Sequence, residues 1–156
     1  MKKIMFVCHG NICRSPMAEF IMKELVRRNG LCDNFEIDSS ATSSEEIGNE
    51  IYPPAASILR RNDVPCEGHA ARRFTRSDYS NSDMVVVMED YNLRNLFGII
   101  GGDRDGKVWK LLDFIADAPE RCSGKDISDP WYHGDFYMTY NEIESGCKGL
   151  LRYLGY

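Results

Sequence analysis

No hydrophobic run in this chain approaches the roughly 18 residues that a membrane-spanning helix needs, so no membrane partner is expected. Histidine is scarce. His9, His69 and His133 lie far apart and no Cys-x2-Cys pair occurs, so zinc-ligand spacing is missing and neither metal nor other cofactor is expected. Positive charge is also short: 19 Lys and Arg stand against 24 Asp and Glu, for a net charge of −5. That balance argues against nucleic acid as a partner. Repeats and low-complexity tracts are absent. At the N-terminus, Lys2-Lys3 precede only five apolar residues, too few for a signal-peptide core. The expected compartment is therefore the cytoplasm, with the six cysteines as free thiols.

What remains suits one folded unit. The 156 residues, 43% apolar and 28% charged, are enough for a single domain (1–156) with its own core. Ile4-Met5-Phe6-Val7 reads as a buried strand, and Met17 to Arg28 carries helical spacing, with Ser15 expected as N-cap, Pro16 at N1 and Asn29-Gly30 as the stop. Phe35 to Asp38 reads as a second strand, followed by a polar loop from Ser39 to Ser44. Pro53-Pro54 should open a helix that runs to Arg61, and Thr75 to Asp78 has the form of a capping box. Met84 to Met88 is a continuous apolar run, as in a strand buried on both faces, and Val108 to Leu112 is a fourth strand. A polar stretch from Ala116 to His133 precedes a closing helix whose stripe is Phe136, Tyr140, Ile143, Cys147, Leu150 and Leu154. Strands alternating with helices predict an α/β fold: a four-stranded parallel sheet flanked by helices, a flavodoxin-like three-layer sandwich. Ligands in such folds sit beyond the carboxyl ends of the strands.

The segment Cys8-His9-Gly10-Asn11-Ile12-Cys13-Arg14-Ser15-Pro16 lies at such an end, where a strand runs into a loop that opens a helix. A helix start offers unpaired N–H groups and a positive dipole end, so it binds anions. If His9, Gly10, Asn11, Ile12 and Cys13 curl with their N–H groups inward, they form a cup for the terminal oxygens of a phosphate monoester. Arg14 would close the cup with a bidentate fork, and Cys8 would lie at its floor. Positive surroundings favour thiolate over thiol, and a thiolate there could accept phosphate as a phosphocysteine. Asn11 tolerates positive φ, which a tight anion loop needs. Cys-x5-Arg alone is weak: Cys66 to Arg72 has the same spacing, yet follows Val64-Pro65 rather than a strand and opens no capped helix.

Taken together with Asp129-Pro130-Trp131-Tyr132, the loop resembles the signature of the low-molecular-weight protein tyrosine phosphatase family. Ile37-Asp38-Ser39, His69-Ala70-Ala71-Arg72 and Asn92-Leu93-Arg94 are secondary matches. The resemblance spans the whole chain. It implies Cys8 as nucleophile, Arg14 as phosphate clamp and Asp129 as general acid and then general base. Residues alone would not single out Asp129, because Asp117, Glu120 and Asp126 share its loop. The resemblance further implies that Ser15 supports the thiolate, that Asn11, Ser39 and His69 hold the loop in shape, and that Trp131 and Tyr132 flank the substrate ring. It makes Cys13 a partner for an oxidised Cys8. The expected partners are a phosphotyrosine protein or small aryl phosphate as substrate and inorganic phosphate as product, with the chain a monomer or weakly self-associating.

Two positions depart from the family pattern. Glu45 stands where relatives often carry an aromatic residue, so the specificity rim is expected to be more negative and to disfavour acidic phosphopeptides. Glu89 follows Met88 where relatives usually have aspartate, which leaves open whether a hydrogen bond from that position reaches the site. An arsenate reductase on this scaffold would need relay cysteines, and none occurs between Cys66 and Cys122. A sugar-transport phosphocarrier would not require Asp129, and a binding module would require neither Cys8 nor Asp129.

Overall fold

The computed structural model describes residues 1–156. Its sheet consists of β1 (Lys2–Cys8), β2 (Phe35–Ala41), β3 (Met84–Val87) and β4 (Val108–Lys110), all parallel and in the order β2-β1-β3-β4. The helices are α1 (Arg14–Arg28), α2 (Pro53–Arg61), α3 (Arg76–Asn81), α4 (Asp90–Ile100), α5 (Pro130–His133) and α6 (Phe136–Tyr153). Strand periodicity divides the core into two layers. Ile4, Phe6, Met84, Val86 and Trp109 join the large cluster with α1, α2 and α6, whereas Met5, Val7, Val85, Val87 and Val108 pack with Tyr79 of α3 and Leu96 of α4. The sheet is thus covered on both faces, which explains the uninterrupted valines of β3. Val85, Val86 and Val87 are fully buried, each contributing roughly 1.5–3 kcal/mol.

Most of the sequence expectations hold. Helix α2 runs from Pro53 to Arg61 as read, and the capping box at Thr75 and Asp78 forms. In α6, Tyr140, Ile143, Cys147 and Leu150 are buried, with Phe136 and Leu154 packed at the stripe's ends. Among the boundaries that move, three change how residues are read. Strand β2 extends through Ser39 and Ser40 to Ala41, because β1 pairs with it as far as Cys8↔Ala41; those serines are buried strand residues, not loop. Strand β4 stops at Lys110, and Leu111–Ile115 turn into a 3-10 helix beneath α6. Finally, α1 begins at Arg14 with Cys13 in the cap position, so Ser15 and Pro16 fall inside the first turn. Ser15 is not the N-cap because its hydroxyl is drawn to the thiol of Cys8.

This order fixes the location of the site. Strand β1 lies between β2 and β3, and the chain leaves β1 and β3 toward opposite faces, which opens a crevice at their carboxyl ends. Cys8 ends β1 in that crevice.

Candidate active site

Cys8 is buried at the floor of the loop, and its sulfur meets the start of α1. The Ser15 amide, one of the helix's unpaired N–H groups, points at Cys8 Sγ from 3.4 Å, and Ser15 Oγ lies 3.0 Å from the same sulfur. The orientation of that hydroxyl follows from its other neighbour. Asn11 Oδ1 accepts the Arg72 amide at 3.1 Å, so its Nδ2 must be the end that faces Ser15 Oγ at 2.8 Å and Ser39 Oγ at 2.9 Å. Asn11 donates to Ser15, which leaves the serine proton for the Cys8 sulfur at 3.0 Å or the more distant Ser40 carbonyl at 3.4 Å. Ser39 in turn donates a hydrogen bond to the buried carboxylate of Glu19 at 2.6 Å.

Asn11 adopts φ 58° and is fully buried, as its expected role requires. Its carbonyl oxygen is 2.6 Å from His69 Nε2, so His69 closes the network from the segment after α2. One buried asparagine thus connects α1, β2 and the 69–72 segment through all of its side-chain hydrogen-bonding groups and its carbonyl.

Arg14 is the largest of the fully buried side chains. Its Nη1 donates to the Ile127 carbonyl at 2.8 Å and contacts Glu89 at 3.1 Å, while Nη2 lies 3.3 Å from the Asp129 carboxylate. The question left open at Glu89 is answered by this contact: the side chain does reach the site and holds the arginine. The remaining N–H donors of the fork are free for an oxyanion. Asp129 caps α5 by accepting the Trp131 amide at 3.0 Å, so the turn that presents Trp131 and Tyr132 also aims the carboxylate at Arg14.

Cys8, His9, Gly10, Ile12, Cys13, Arg14, Glu45, Asp129, Trp131 and Tyr132 all line one pocket, with Asn11, Ser15, Ser39 and His69 behind it. The second Cys-x5-Arg match forms no such cup. Cys66 is buried with its sulfur toward the Ala56 carbonyl, and Arg72 is engaged by Asp38 and Asp78. Cys13 shares the loop with Cys8 but not its setting. Burial, reinforced by negative charge on Cys8 and Asp129, pushes its thiol far up, so it stays protonated.

Several contributors carry no sequence signal. Glu46 joins the pocket wall, and Tyr52 packs 4.8 Å from Trp131 and supports it. Tyr91 lies 5.9 Å from the His9 ring, whose Nε2 contacts Glu45 at 3.0 Å.

A cysteine at a helix start, an arginine fork above it and a carboxylic acid opposite define a cysteine-based phosphate monoester enzyme. Comparison with known proteins narrows this. Residues 3–155 match the family model described as low molecular weight phosphotyrosine protein phosphatase. The low molecular weight protein-tyrosine-phosphatase YfkJ of Bacillus subtilis is 34% identical over 151 residues, covering 97% of this chain and 94% of that protein. Its crystal structure superposes with a TM-score of 0.91 at 33% identity, covering 99% of this chain and 94% of that one. The human low molecular weight phosphotyrosine protein phosphatase is 33% identical over 152 residues, 96% of this chain and 94% of its own. The Streptococcus pyogenes enzyme SP-PTP gives a TM-score of 0.85 at 36% identity, covering 100% of this chain and 95% of that chain. This chain belongs to the low molecular weight phosphotyrosine protein phosphatase family.

Proposed function

We propose that the protein hydrolyses phosphotyrosine and related aryl phosphates through a phosphocysteine on Cys8. The observation that carries this reading is the convergence, in one pocket, of a sulfur held by a helix start and an arginine 3.3 Å from a carboxylate, beneath exposed Trp131 and Tyr132. The phosphate oxygens are held by the loop amides and by Arg14. The Cys8 thiolate attacks phosphorus and forms the S–P bond. Asp129 protonates the departing phenolate as the P–O bond breaks. In the second half-reaction the same carboxylate, now ionised, takes a proton from water, whose oxygen attacks phosphorus. The S–P bond breaks and inorganic phosphate leaves. Ser15 stabilises the sulfur as it departs, and Trp131 and Tyr132 flank the aryl ring.

The test is hydrolysis of a phosphotyrosine peptide and of phenyl phosphate by the parent and three variants. Cys8→Ser is expected to be inactive. Asp129→Ala should lose roughly two to four orders of magnitude in kcat/KM, the usual share of general acid–base catalysis. Ser15→Ala should lose about 10- to 100-fold, from one hydrogen bond to a charged group. Full activity in Cys8→Ser would end the proposal.

The remaining expectations belong to the same reading: a single domain over residues 1–156, a cytoplasmic location, a phosphoprotein substrate, and a monomer or weakly associating chain. No helix is long and apolar enough to cross a membrane.

A further inference from the structure

Lys110 ends β4 with its side chain almost wholly enclosed, at 4% exposure, and no step of the proposed reaction uses it. A buried ammonium is costly unless its donors are matched. Here all are. Lys110 Nζ lies 2.6 Å from Asp126 Oδ1, 3.0 Å from Asp90 Oδ1 and 2.7 Å from the Gly124 carbonyl. Burial opposes the charge, but Asp126 and Asp90 outweigh it and hold the ammonium protonated.

The partners are telling. Gly124 and Asp126 belong to the irregular segment that ends in Asp129, and Asp90 opens α4. Asp126 Oδ1 also accepts the Asp90 amide at 3.0 Å. One residue on, Ile127 donates its amide to the Met88 carbonyl at 2.8 Å and offers its own carbonyl to Arg14. Asp113 secures the same segment from the other side, accepting the amides of Cys122 at 2.7 Å and Gly124 at 2.5 Å. The acid-bearing segment has no regular structure between Ala116 and Asp129, so its shape depends on these ties.

We propose that Lys110 is a positioning residue for Asp129: its ammonium pins the acid-bearing segment to the start of α4 and thereby sets the carboxylate at the height of the leaving-group oxygen. This rests on Asp129 being the general acid. Lys110 touches neither substrate nor phosphate.

The experiment reads kcat/KM over aryl phosphates whose phenols range from weakly acidic (phenol) to strongly acidic (dinitrophenol), because only poor leaving groups need the proton. Lys110→Met should lose about 10- to 100-fold on phenyl phosphate, the scale of a displaced catalytic group, and less than about threefold on dinitrophenyl phosphate. Inhibition by inorganic phosphate should stay within about threefold of the parent. Lys110→Arg, which restores a cation, should regain most of the loss. Asp126→Asn alters a half-exposed partner and leaves the lysine in place, so it answers the question even if Lys110→Met fails to fold; it should steepen the leaving-group dependence in the same direction. In an Asp129→Ala background, Asp126→Asn should cost nothing more.

Equal losses on every substrate would overturn the proposal, as would multiplicative losses in the double variant. If Asp129→Ala alone leaves the leaving-group dependence unchanged, the acid assignment falls, and this inference falls with it. If Asp129→Ala steepens it while the Lys110 and Asp126 variants do not, only this inference falls.

Discussion

Cys8 and Cys13 show how two identical side chains in one loop acquire different chemistry. Cys8 has an amide and a hydroxyl directed at its sulfur, whereas Cys13 is enclosed and faces negative charge, which keeps its thiol protonated. The difference bears on oxidation. Peroxide converts a reactive thiolate to sulfenic acid, which condenses with a second thiol to a disulfide. We propose that Cys13 is that second thiol. Because the attacking species is thiolate, and burial still holds the Cys13 thiol above its ordinary range once Cys8 has lost its charge as sulfenic acid, closure of the bridge is expected to accelerate as pH rises. Mass spectrometry of peroxide-treated protein quenched at intervals would follow it. Recovery of Cys8 only as sulfinic acid, with no bridge at any pH, would exclude the pairing. At this scale the sequence was legible wherever function depends on a short local pattern: Cys8, Asn11, Arg14 and Ser15 fall within eight consecutive residues. Asp129 could be singled out only through the family resemblance. Tyr52, Glu46 and the Arg14 contact of Glu89 were not legible, because each meets the site through tertiary packing rather than spacing.

Helix α6 illustrates a constraint at the level of elements. Its Gly146 and Gly149 lie against the 3-10 helix, where an added Cβ at 146 would meet Leu111 Cγ at 2.5 Å, and one at 149 would run into the Phe114 carbonyl. Helix propensity alone favours alanine over glycine by about 1 kcal/mol. Overpacking against backbone, which cannot rotate away, costs about 1–3 kcal/mol or more and should prevail. Gly149→Ala is therefore expected to lower the melting temperature, whereas alanine at the solvent-exposed Ser145 should change it little; thermal unfolding followed by circular dichroism decides. Elements with a strong local signal, such as the Pro-Pro start of α2, the apolar stripe of α6 and the unbroken apolar run of β3, could be read directly. The ends of β2 and β4 could not: two serines look like a loop until a neighbouring strand pairs with them, and Leu111-Leu112 look like a strand until α6 closes over them.

For the molecule as a whole, charge is the governing quantity. A net −5 chain binds an anion only because the field near the loop is local. Around the mouth carboxylates face solvent: Glu45 is largely exposed and contacts the His9 ring, and Glu46 adds a second carboxylate to the wall. Phosphotyrosine peptides with acidic flanks should accordingly be poorer substrates than peptides with basic flanks, chiefly in KM and most clearly at low salt. Glu45→Trp should narrow that gap. Equal preferences in parent and variant would show that the rim charge plays no part in selection.

The bond from Arg14 to the Ile127 carbonyl joins residues 113 positions apart, so the clamp is seated only when the distal part of the chain has arrived. During synthesis the sulfur at position 8 is made long before the segment around Ile127 that seats its clamp. Contacts of such long range are costly to close and form late. Refolding should therefore restore helix signal before turnover, and the newborn chain passes through an interval in which its most valuable atom is present but unshielded.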